Sequence, residues 1–428
     1  MEIPRTLARV GEGTAGSSGE LSVYLHVPFC VAKCPYCDFY SAPMDRMGVE
    51  PARYFDLVGR ELEILCEGNK SLPSSPLVTL YVGGGTPSLI EPALYRRFFE
   101  RLGHTFEIEP SLEWTLESNP GTVSSSGTGL LPVTDHGQDA HATSLDEFLA
   151  LGVNRFSIGV QSFCDETLER LGRSHRSGEN RALLDRLRGN SLPNTGWKPV
   201  LPANLAWAID LIFAVPGQTL EQWQRDLDAA IAYRPHHISV YGLTVHEGTP
   251  FGDLQRAGRL DLPDEEVQRE MFLLARRRLL AAGYEHYEIS NYALPGFRSR
   301  HNERYWTGGD YLGLGVSAHS LVGGMRWANP PDIAHYCRSL EAGILPRRIE
   351  PPPEGRARLG EQVMLGLRRL EGIDVATFRS RLGADLTETY ASEIARLVEV
   401  GLVELVEGRL RLTEEGLLVA DAVMAEFF

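Results

Sequence analysis

Tyr24-Leu25-His26-Val27-Pro28-Phe29-Cys30 runs into Val31-Ala32-Lys33-Cys34-Pro35-Tyr36-Cys37, so an apolar segment ends on three cysteines spaced C-x3-C-x2-C. The stretch from Ser22 to Val27 has the composition of a buried strand, and the cysteines fall in the loop that follows it. One loop thereby presents three soft thiolates to a compact metal centre. The loop supplies no fourth ligand of the kind that closes a zinc site. Cys66, Cys164 and Cys337 sit in helix-like or strand-following sequence, where ordinary buried or half-buried thiols are expected. A [4Fe–4S] cluster with three protein ligands suits this pattern, because it leaves one iron open to a small chelating molecule.

Outward from this segment, five further runs rich in Val, Ile, Leu, Phe and Tyr read as strands: Val78 to Val82, Glu113 to Glu117, Arg155 to Val160, Ala206 to Phe213 and His237 to Tyr241. Helical spacing separates them over Ala52 to Cys66, Pro92 to Leu102, Leu145 to Leu151, Asp165 to Leu171 and Leu220 to Ile231. The alternation is that of βα units around a parallel sheet. Each run ends in polar or glycine-rich sequence, which in a (β/α) barrel forms the active-site face. Six units in place of eight predict an α/β fold with an open, partial (β/α)6 TIM-like barrel.

Two stretches rich in Gly, Pro, Ser, Thr and Asn interrupt the rhythm, near 124–143 and 189–203. They share an echo, Thr128-Gly129-Leu130-Leu131-Pro132-Val133 against Thr195-Gly196-Trp197-Lys198-Pro199-Val200, and are read as loop insertions. His136 and His141 in the first are expected to belong to a plain loop rather than a metal site. After Pro351-Pro352-Pro353 the pattern changes to short amphipathic helices and a hairpin, Leu402 to Val406 and Arg409 to Leu412 around Glu407-Gly408. The predicted organisation is a flexible N-terminus over 1–20, a barrel with its extension over 21–320, and a small C-terminal α+β winged-helix-like domain over 351–428.

The composition excludes several classes. With 43% hydrophobic and 23% charged residues the chain is an ordinary globular one, and no apolar run approaches the length of a membrane span. The 57 acidic and 42 basic side chains give −15, a field that repels phosphate backbones, so nucleic acid is not an expected partner. The C-terminal stretch 351–428 carries 14 Asp/Glu and 9 Lys/Arg, which favours a packing or partner module over a DNA reader. Six cysteines are too few for a disulfide scaffold, and Met1 to Glu20 has no apolar signal segment. A soluble, cytoplasmic protein is expected, with peripheral membrane attachment left open.

Beyond the triplet, Gly83-Gly84-Gly85-Thr86-Pro87-Ser88, Glu117-Ser118-Asn119-Pro120-Gly121-Thr122 and Gly159-Val160-Gln161-Ser162-Phe163 complete a pattern over Tyr24 to Ser320. That pattern resembles the oxygen-independent coproporphyrinogen III oxidase family of the radical S-adenosylmethionine (SAM) superfamily. The resemblance implies a cluster bound by Cys30, Cys34 and Cys37, whose open iron holds the amino and carboxylate groups of SAM. A reducing electron then cleaves the sulfonium to a 5′-deoxyadenosyl radical. It also implies roles for matching residues. Gly84 and Gly85, lacking Cβ, let the backbone approach the methionine amine, and Thr86 adds a hydroxyl. Glu117 suits the ribose hydroxyls or the amine, Gln161 and Asp210 hold equivalent strand-end places, and Arg173 offers a fork to the methionine carboxylate. Tyr24 and Tyr36 become aromatic walls. Taken singly, a Gly-Gly-Gly is most often a turn and a strand-end Glu a solvated charge.

Within that family the decarboxylating branch has C-x3-C-x2-C-x-C and a long N-terminal extension, whereas this chain has Phe39 at the fourth position and 23 residues before Tyr24. Cys37-Asp38-Phe39, His301-Asn302-Glu303-Arg304-Tyr305-Trp306 and Asp310-Tyr311-Leu312-Gly313-Leu314-Gly315 instead resemble the haem-chaperone branch, HemW. The implied function is to bind haem and deliver it to haem-accepting respiratory proteins, those at the membrane included, without coproporphyrinogen dehydrogenase activity. Two alternatives stand beside it: oxidative decarboxylation of coproporphyrinogen III in porphyrin biosynthesis, and radical chemistry on another substrate. His301 would be the axial haem ligand, with Tyr305 and Trp306 as flat contacts and Arg298, Arg300 and Arg304 meeting propionates. Against that reading stands a core histidine with Trp306 packed beside it.

Overall fold

Leu21, Val23, Leu25 and Val27 are fully buried, and the residues between them are buried too except Tyr24, which is partly covered. A strand covered on both faces reads as a near-continuous apolar run, the mark of the inside of a parallel sheet. The computed structural model describes residues 19–68, 75–124, 143–189 and 205–428. Residues 1–18 and nearly all of the two predicted insertions lie outside the described residues.

Strands β1 (Leu21–Val27), β2 (Leu77–Gly84), β3 (Ile108–Ser118), β4 (Arg155–Gln161), β5 (Ala206–Phe213) and β6 (His237–Gly242) pair in chain order, each parallel to the next. Parallel neighbours need crossovers, and these are supplied by α1 (Pro51–Gly68), α2 (Pro92–Thr105), α3 (Leu145–Leu151), α4 (Asp165–Arg170), α5 (Ser177–Leu187) and α6 (Leu220–Tyr233). Thr219 caps α6 in a reciprocal capping box with Gln222. β6 does not pair with β1, so the six predicted βα units form an open partial barrel.

Both sheet edges continue beyond the prediction. β7 (Glu285–Glu288) and β8 (Asn291–Ala293) add antiparallel strands next to β6. On the other side β9 (Tyr311–Leu314) runs parallel to β1, followed by antiparallel β10 (His319–Val322), β11 (Met325–Ala328) and β12 (Arg348–Glu350). At three or four residues each, these strands are too short for a readable period-2 pattern. Helix α7 (Glu265–Ala281) backs the sheet, and α8 (Arg300–Trp306) carries the H-N-x-x-Y-W residues behind a Ser299 cap.

The C-terminal residues build a second core from Val363, Leu367, Tyr390, Leu410 and Phe427. Its antiparallel hairpin, Val403–Val406 with Arg409–Leu412, turns at Glu407 and Gly408 with φ of 51° and 75°, the two-residue turn that matches strand twist. This small domain is tied to the barrel extension by Arg326 on Glu361, Arg269 on Glu415 and Arg381 on the Thr307 carbonyl. Cys66 is exposed, contrary to the burial expected of it, because it falls on the outer face near the end of α1. Among the described residues no helix is long and apolar enough to cross a membrane.

Glu61 on α1 joins the extension to the barrel. Its carboxylate accepts from the Gly315 amide at 2.9 Å, Tyr336 Oη at 2.6 Å and Asn329 Nδ2 at 2.6 Å, all buried. Burial pushes its carboxyl up to about 7. Removing this acceptor leaves the Gly315 amide and the Tyr336 hydroxyl without a partner and the Asn329 amide with only the Gly315 carbonyl, so Glu61→Ala should lower the free energy of unfolding by about 2–4 kcal/mol. Urea denaturation reads the change, and an unaltered midpoint would remove Glu61 as the tie.

Candidate functional site

The carboxyl ends of β1 to β6 open into one cavity of about 370 Å³, in the range that holds small-molecule cofactors. Cys30, Cys34, Cys37, Tyr36, Gly84, Gly85, Thr86, Glu117, Gln161, Arg173 and Asp210 all line it. The structure thus brings together eleven residues that the sequence places on five of the six barrel strands or the loops after them, and, for Arg173, just beyond α4. Tyr24 and His301 are not on its wall.

The cysteine loop lies on a glycine shelf. A Cβ on Gly85 would stand 2.5 Å from the Phe29 carbonyl oxygen and 3.0 Å from Cys30 Sγ. Gly84 has φ of +117°, a conformation closed to side-chain-bearing residues. Arg173 faces the loop from across the cavity, with Nη1 3.7 Å from Cys34 Sγ and 3.4 Å from Tyr36 Oη. Its other nitrogen donates to Asn119 Oδ1 and to the Gly159 carbonyl at 3.1 Å. Glu117 accepts from Tyr81 Oη at 2.8 Å and from the Gly84 amide at 3.0 Å. Asp210 is held by Ser157 Oγ at 3.2 Å, and burial raises its carboxyl above the ordinary range.

Three buried polar atoms on this wall, Gln161 Oε1, Thr115 Oγ1 and His237 Nδ1, have no partner among the described residues. Buried polar atoms without partners are rare, and three on one cavity describe a surface built to receive a polar ligand. Cys66, Cys164 and Cys337 do not line the cavity, so the loop's thiols are the soft donors it offers. Among the described residues no three His, Cys, Asp or Glu side chains close on a single metal-sized point, so the thiols share the cavity without being drawn together. Three thiols from one loop, a shelf without Cβ atoms and unmet polar demand fit an iron–sulfur cluster with an amphiphilic, zwitterionic cofactor beside it.

Several lining residues escaped the sequence reading. Tyr81 and Asn119 sit within or beside motifs and were recoverable from position. Asn302 lies within the H-N-x-x-Y-W run, but Arg155, His237 and Ser299 were not recoverable, because function was sought at the carboxyl ends of strands while these lie at strand starts or at the cap of α8. The open barrel lets the cavity run down to them. Arg155 is buried there against Glu113 at 3.7 Å and donates to the Phe297 carbonyl.

His301 is buried, with Nδ1 2.7 Å from Thr79 Oγ1 and Nε2 2.9 Å from Tyr305 Oη. Its ring stacks on Tyr81 at 5.0 Å, and burial, aided by Arg304, pushes its pKa down to about 3. Both nitrogens of a neutral imidazole are therefore engaged, and neither is offered to an iron in this conformation. Tyr24 packs behind the wall, its hydroxyl 3.0 Å from His26 Nδ1. Arg298, Arg300 and Arg304 each hold a protein partner: Glu285, the Ser111 carbonyl and Glu20.

Residues 24–230 match the family model of the Radical SAM superfamily, and residues 354–419 that of the HemN C-terminal domain. The fold is similar to that of coproporphyrinogen III oxidase (HemN) from Escherichia coli, a radical SAM enzyme, with a TM-score of 0.76, 22% identity and coverage of 95% of this chain and 89% of that one. Fold and site together define a radical SAM protein. Curated relatives narrow this further. Proteins named heme chaperone HemW from Lactococcus lactis and Bacillus subtilis are each 30% identical over 407 residues, covering 95% of this chain and 97% and 98% of theirs. The HemW of Escherichia coli is 35% identical over 302 residues, 71% of this chain and 70% of its own. The chain belongs to the HemW family.

Two outcomes follow from this geometry. A Cβ at Gly85 must displace backbone, so Gly85→Ala should cost about 1–3 kcal/mol of stability by denaturant unfolding, and an unchanged midpoint would show that the shelf yields. Burial, with Asp210 adding to it, pushes Glu117 up to about 7 from an ordinary 4.5. The folded protein then holds a proton that the unfolded chain has lost between those values. Glu117 therefore contributes stability below about 4.5 that is lost as pH rises to about 7. Glu117→Gln can keep both bonds and does not ionise, so it should gain stability relative to wild type between pH 5 and 8 in paired urea melts. A difference that stays flat with pH would contradict the raised carboxyl.

Proposed function

We propose that this protein is a haem chaperone that holds a [4Fe–4S] cluster and SAM in the main cavity, binds haem, and hands it to recipient respiratory proteins without decarboxylating coproporphyrinogen III. The observation that carries this reading is Phe39. It lines the cavity mouth and is 59% exposed, an apolar ring where the decarboxylating branch carries a further thiol. Full-length similarity to proteins named heme chaperone supports the same choice. The cytoplasm is the proposed compartment, with the barrel and its extension over 21–320 and the C-terminal domain over 351–428 as the working units.

When bound, the cluster supplies an iron open to the amino and carboxylate groups of SAM and the electron that splits its sulfonium. Cys30, Cys34 and Cys37 hold the cluster. Gly84 and Gly85 let their backbone carbonyls reach the methionine amine, and Thr86 stands beside them. Arg173 offers its guanidinium to the carboxylate while Asn119 and the Gly159 carbonyl keep it oriented. Glu117, Gln161 and Asp210 meet the sugar and amine, Gln161 through the Oε1 that lacks a partner. Tyr36 walls the cavity, and Tyr24 supports that wall through Tyr81, 6.2 Å away ring to ring. His301, with both nitrogens engaged, pins α8; to ligate haem iron it would have to release Tyr305 from Nε2.

Anaerobic reconstitution tests the cluster: replacing Cys30, Cys34 and Cys37 together by Ala should abolish iron, sulfide and EPR signal, and their retention would exclude these ligands. Arg173→Ala should weaken SAM by about 1.5–3 kcal/mol, the value of a charged hydrogen bond, in calorimetry on cluster-loaded protein. The function itself is decided by two assays. Haem added to wild type should give a saturable Soret shift, and coproporphyrinogen III supplied with SAM and reductant should give no protoporphyrinogen. Turnover of coproporphyrinogen III would overturn the chaperone reading.

A further inference from the structure

A second cavity of about 330 Å³ lies between α8 and the C-terminal domain. Trp306 forms one wall, Arg369, Arg381 and Arg409 stand around it, and Phe378 and Leu382 close an apolar side. The only carboxylates on the wall among the described residues are Glu371 and Asp374, so three guanidiniums face two carboxylates in a chain whose overall charge is −15. The pairing is incomplete as well. Arg369 meets Glu371, but Arg409 stands 4.0 Å from Asp374, and Arg381 spends both nitrogens on the Thr307 carbonyl.

Two further observations mark this cleft as lacking an acceptor. Trp306 Nε1, on a lining residue, is a buried donor with no partner among the described residues, while the Arg368 guanidinium, off the wall, lies 4.5 Å over the Trp306 ring. Burial lowers the pKa of Arg369; Glu303 opposes this, while Arg298 and Arg409 add like-charge repulsion. An oxyanion in the cleft would relieve that repulsion and satisfy the indole N–H together. The apolar side favours an anion attached to an apolar body over a bare inorganic ion.

We propose that this cleft binds a carboxylate-bearing ligand with an apolar body, its carboxylates on Arg369, Arg409 and the Trp306 N–H, and that a porphyrin enters it by its propionate edge. The choice of a porphyrin rests on the haem-chaperone reading; the carboxylate chemistry stands without it. No His, Cys, Met or Tyr lines the cleft among the described residues, so recognition there is blind to the iron. Metal-free and iron porphyrins bind it alike.

The test titrates full-length protein with metal-free protoporphyrin IX, with glutarate as a free dicarboxylate and with inorganic phosphate, thermal melting serving as the check on folding. Wild type should bind protoporphyrin IX saturably, glutarate should compete, and phosphate should not. The Arg369→Gln, Arg409→Gln double variant should bind porphyrin about tenfold more weakly or worse, the effect of one lost charge-assisted hydrogen bond. Trp306→Phe keeps the ring and removes the donor, and reads the same site should the double variant fail to fold; it too should weaken binding. Unchanged porphyrin affinity in either folded variant overturns the proposal, as does binding of phosphate in preference to both carboxylates. Binding of haem but not of protoporphyrin IX overturns the cleft and leaves the chaperone reading standing. Turnover of coproporphyrinogen III with glutarate still held by Arg369 and Arg409 does the reverse.

Discussion

Two backbone hydrogen bonds, from the Gly85 amide to the Val27 carbonyl at 2.8 Å and from the Thr86 amide to the Phe29 carbonyl at 2.7 Å, fasten the cysteine loop to the glycine shelf. They extend the parallel register of β1 and β2, in which Val27 stands opposite Gly84, past the end of the sheet. A slip of one residue in this pairing would turn every side chain of β1 to the other face. Cys30 would leave the shelf, and the fully buried Val23 and Leu25 would change sides. The site therefore inherits its geometry from the packing of β1, and the absence of Cβ atoms at Gly84 and Gly85 is what lets the two backbones meet.

The same dependence explains which parts were legible in sequence. Five of the six barrel strands are largely apolar runs buried on both faces, β3 being buried only towards its carboxyl end, and their ends coincide with the polar motifs; Ala206–Phe213 agrees with its prediction at both ends. The edge strands β7 to β12 carry three or four residues each, and several take their place in the sheet from pairing distant in sequence, such as β9 with β1 and Arg326 with Glu350, which no local pattern reports. Helix α5 was also missed, its apolar stripe diluted by Asn180, Arg181 and Arg186. At the site, the residues on strand ends were readable because strand ends are few and ordered. Arg155 and His237, at strand starts, become cavity residues only because the barrel stays open, and openness belongs to the sheet as a whole.

Burial sets the charge state inside the cavity wall. Glu117 is pushed up to about 7, while burial takes His237 well below its ordinary value and pushes His301 down to about 3. Acids held towards their neutral form and imidazoles held neutral leave Arg173 as a partly buried guanidinium on the wall with no carboxylate partner among the described residues, beside Arg155, which is paired with Glu113, and the Lys33 and Asp38 of the cysteine loop. A zwitterionic, cationic cofactor would complement this wall, its carboxylate suiting the Arg173 guanidinium and its positive charge favouring ionisation of the carboxyls. The desolvation penalty written into this wall is in this sense the complement of such a ligand's charges.

Helix α8 connects that cavity to the rest of the molecule. Ser299 and Asn302 at its start face the main cavity, whereas Trp306 and Thr307 at its end face the cleft beside the C-terminal domain. At seven residues it is too short to hold itself in water, so its position is set from outside. His301 ties one side of it to the barrel, its ring to Thr79 on β2 and its amide to Glu113 on β3, and Arg381 fixes its end through the Thr307 carbonyl. A histidine with both nitrogens committed and a shared helix make the H-N-x-x-Y-W segment a mechanical joint as much as a binding motif. The two cavities thus share one short helix of about two turns, and the side chain that locks it is the one the sequence offered both as a haem ligand and as a core histidine.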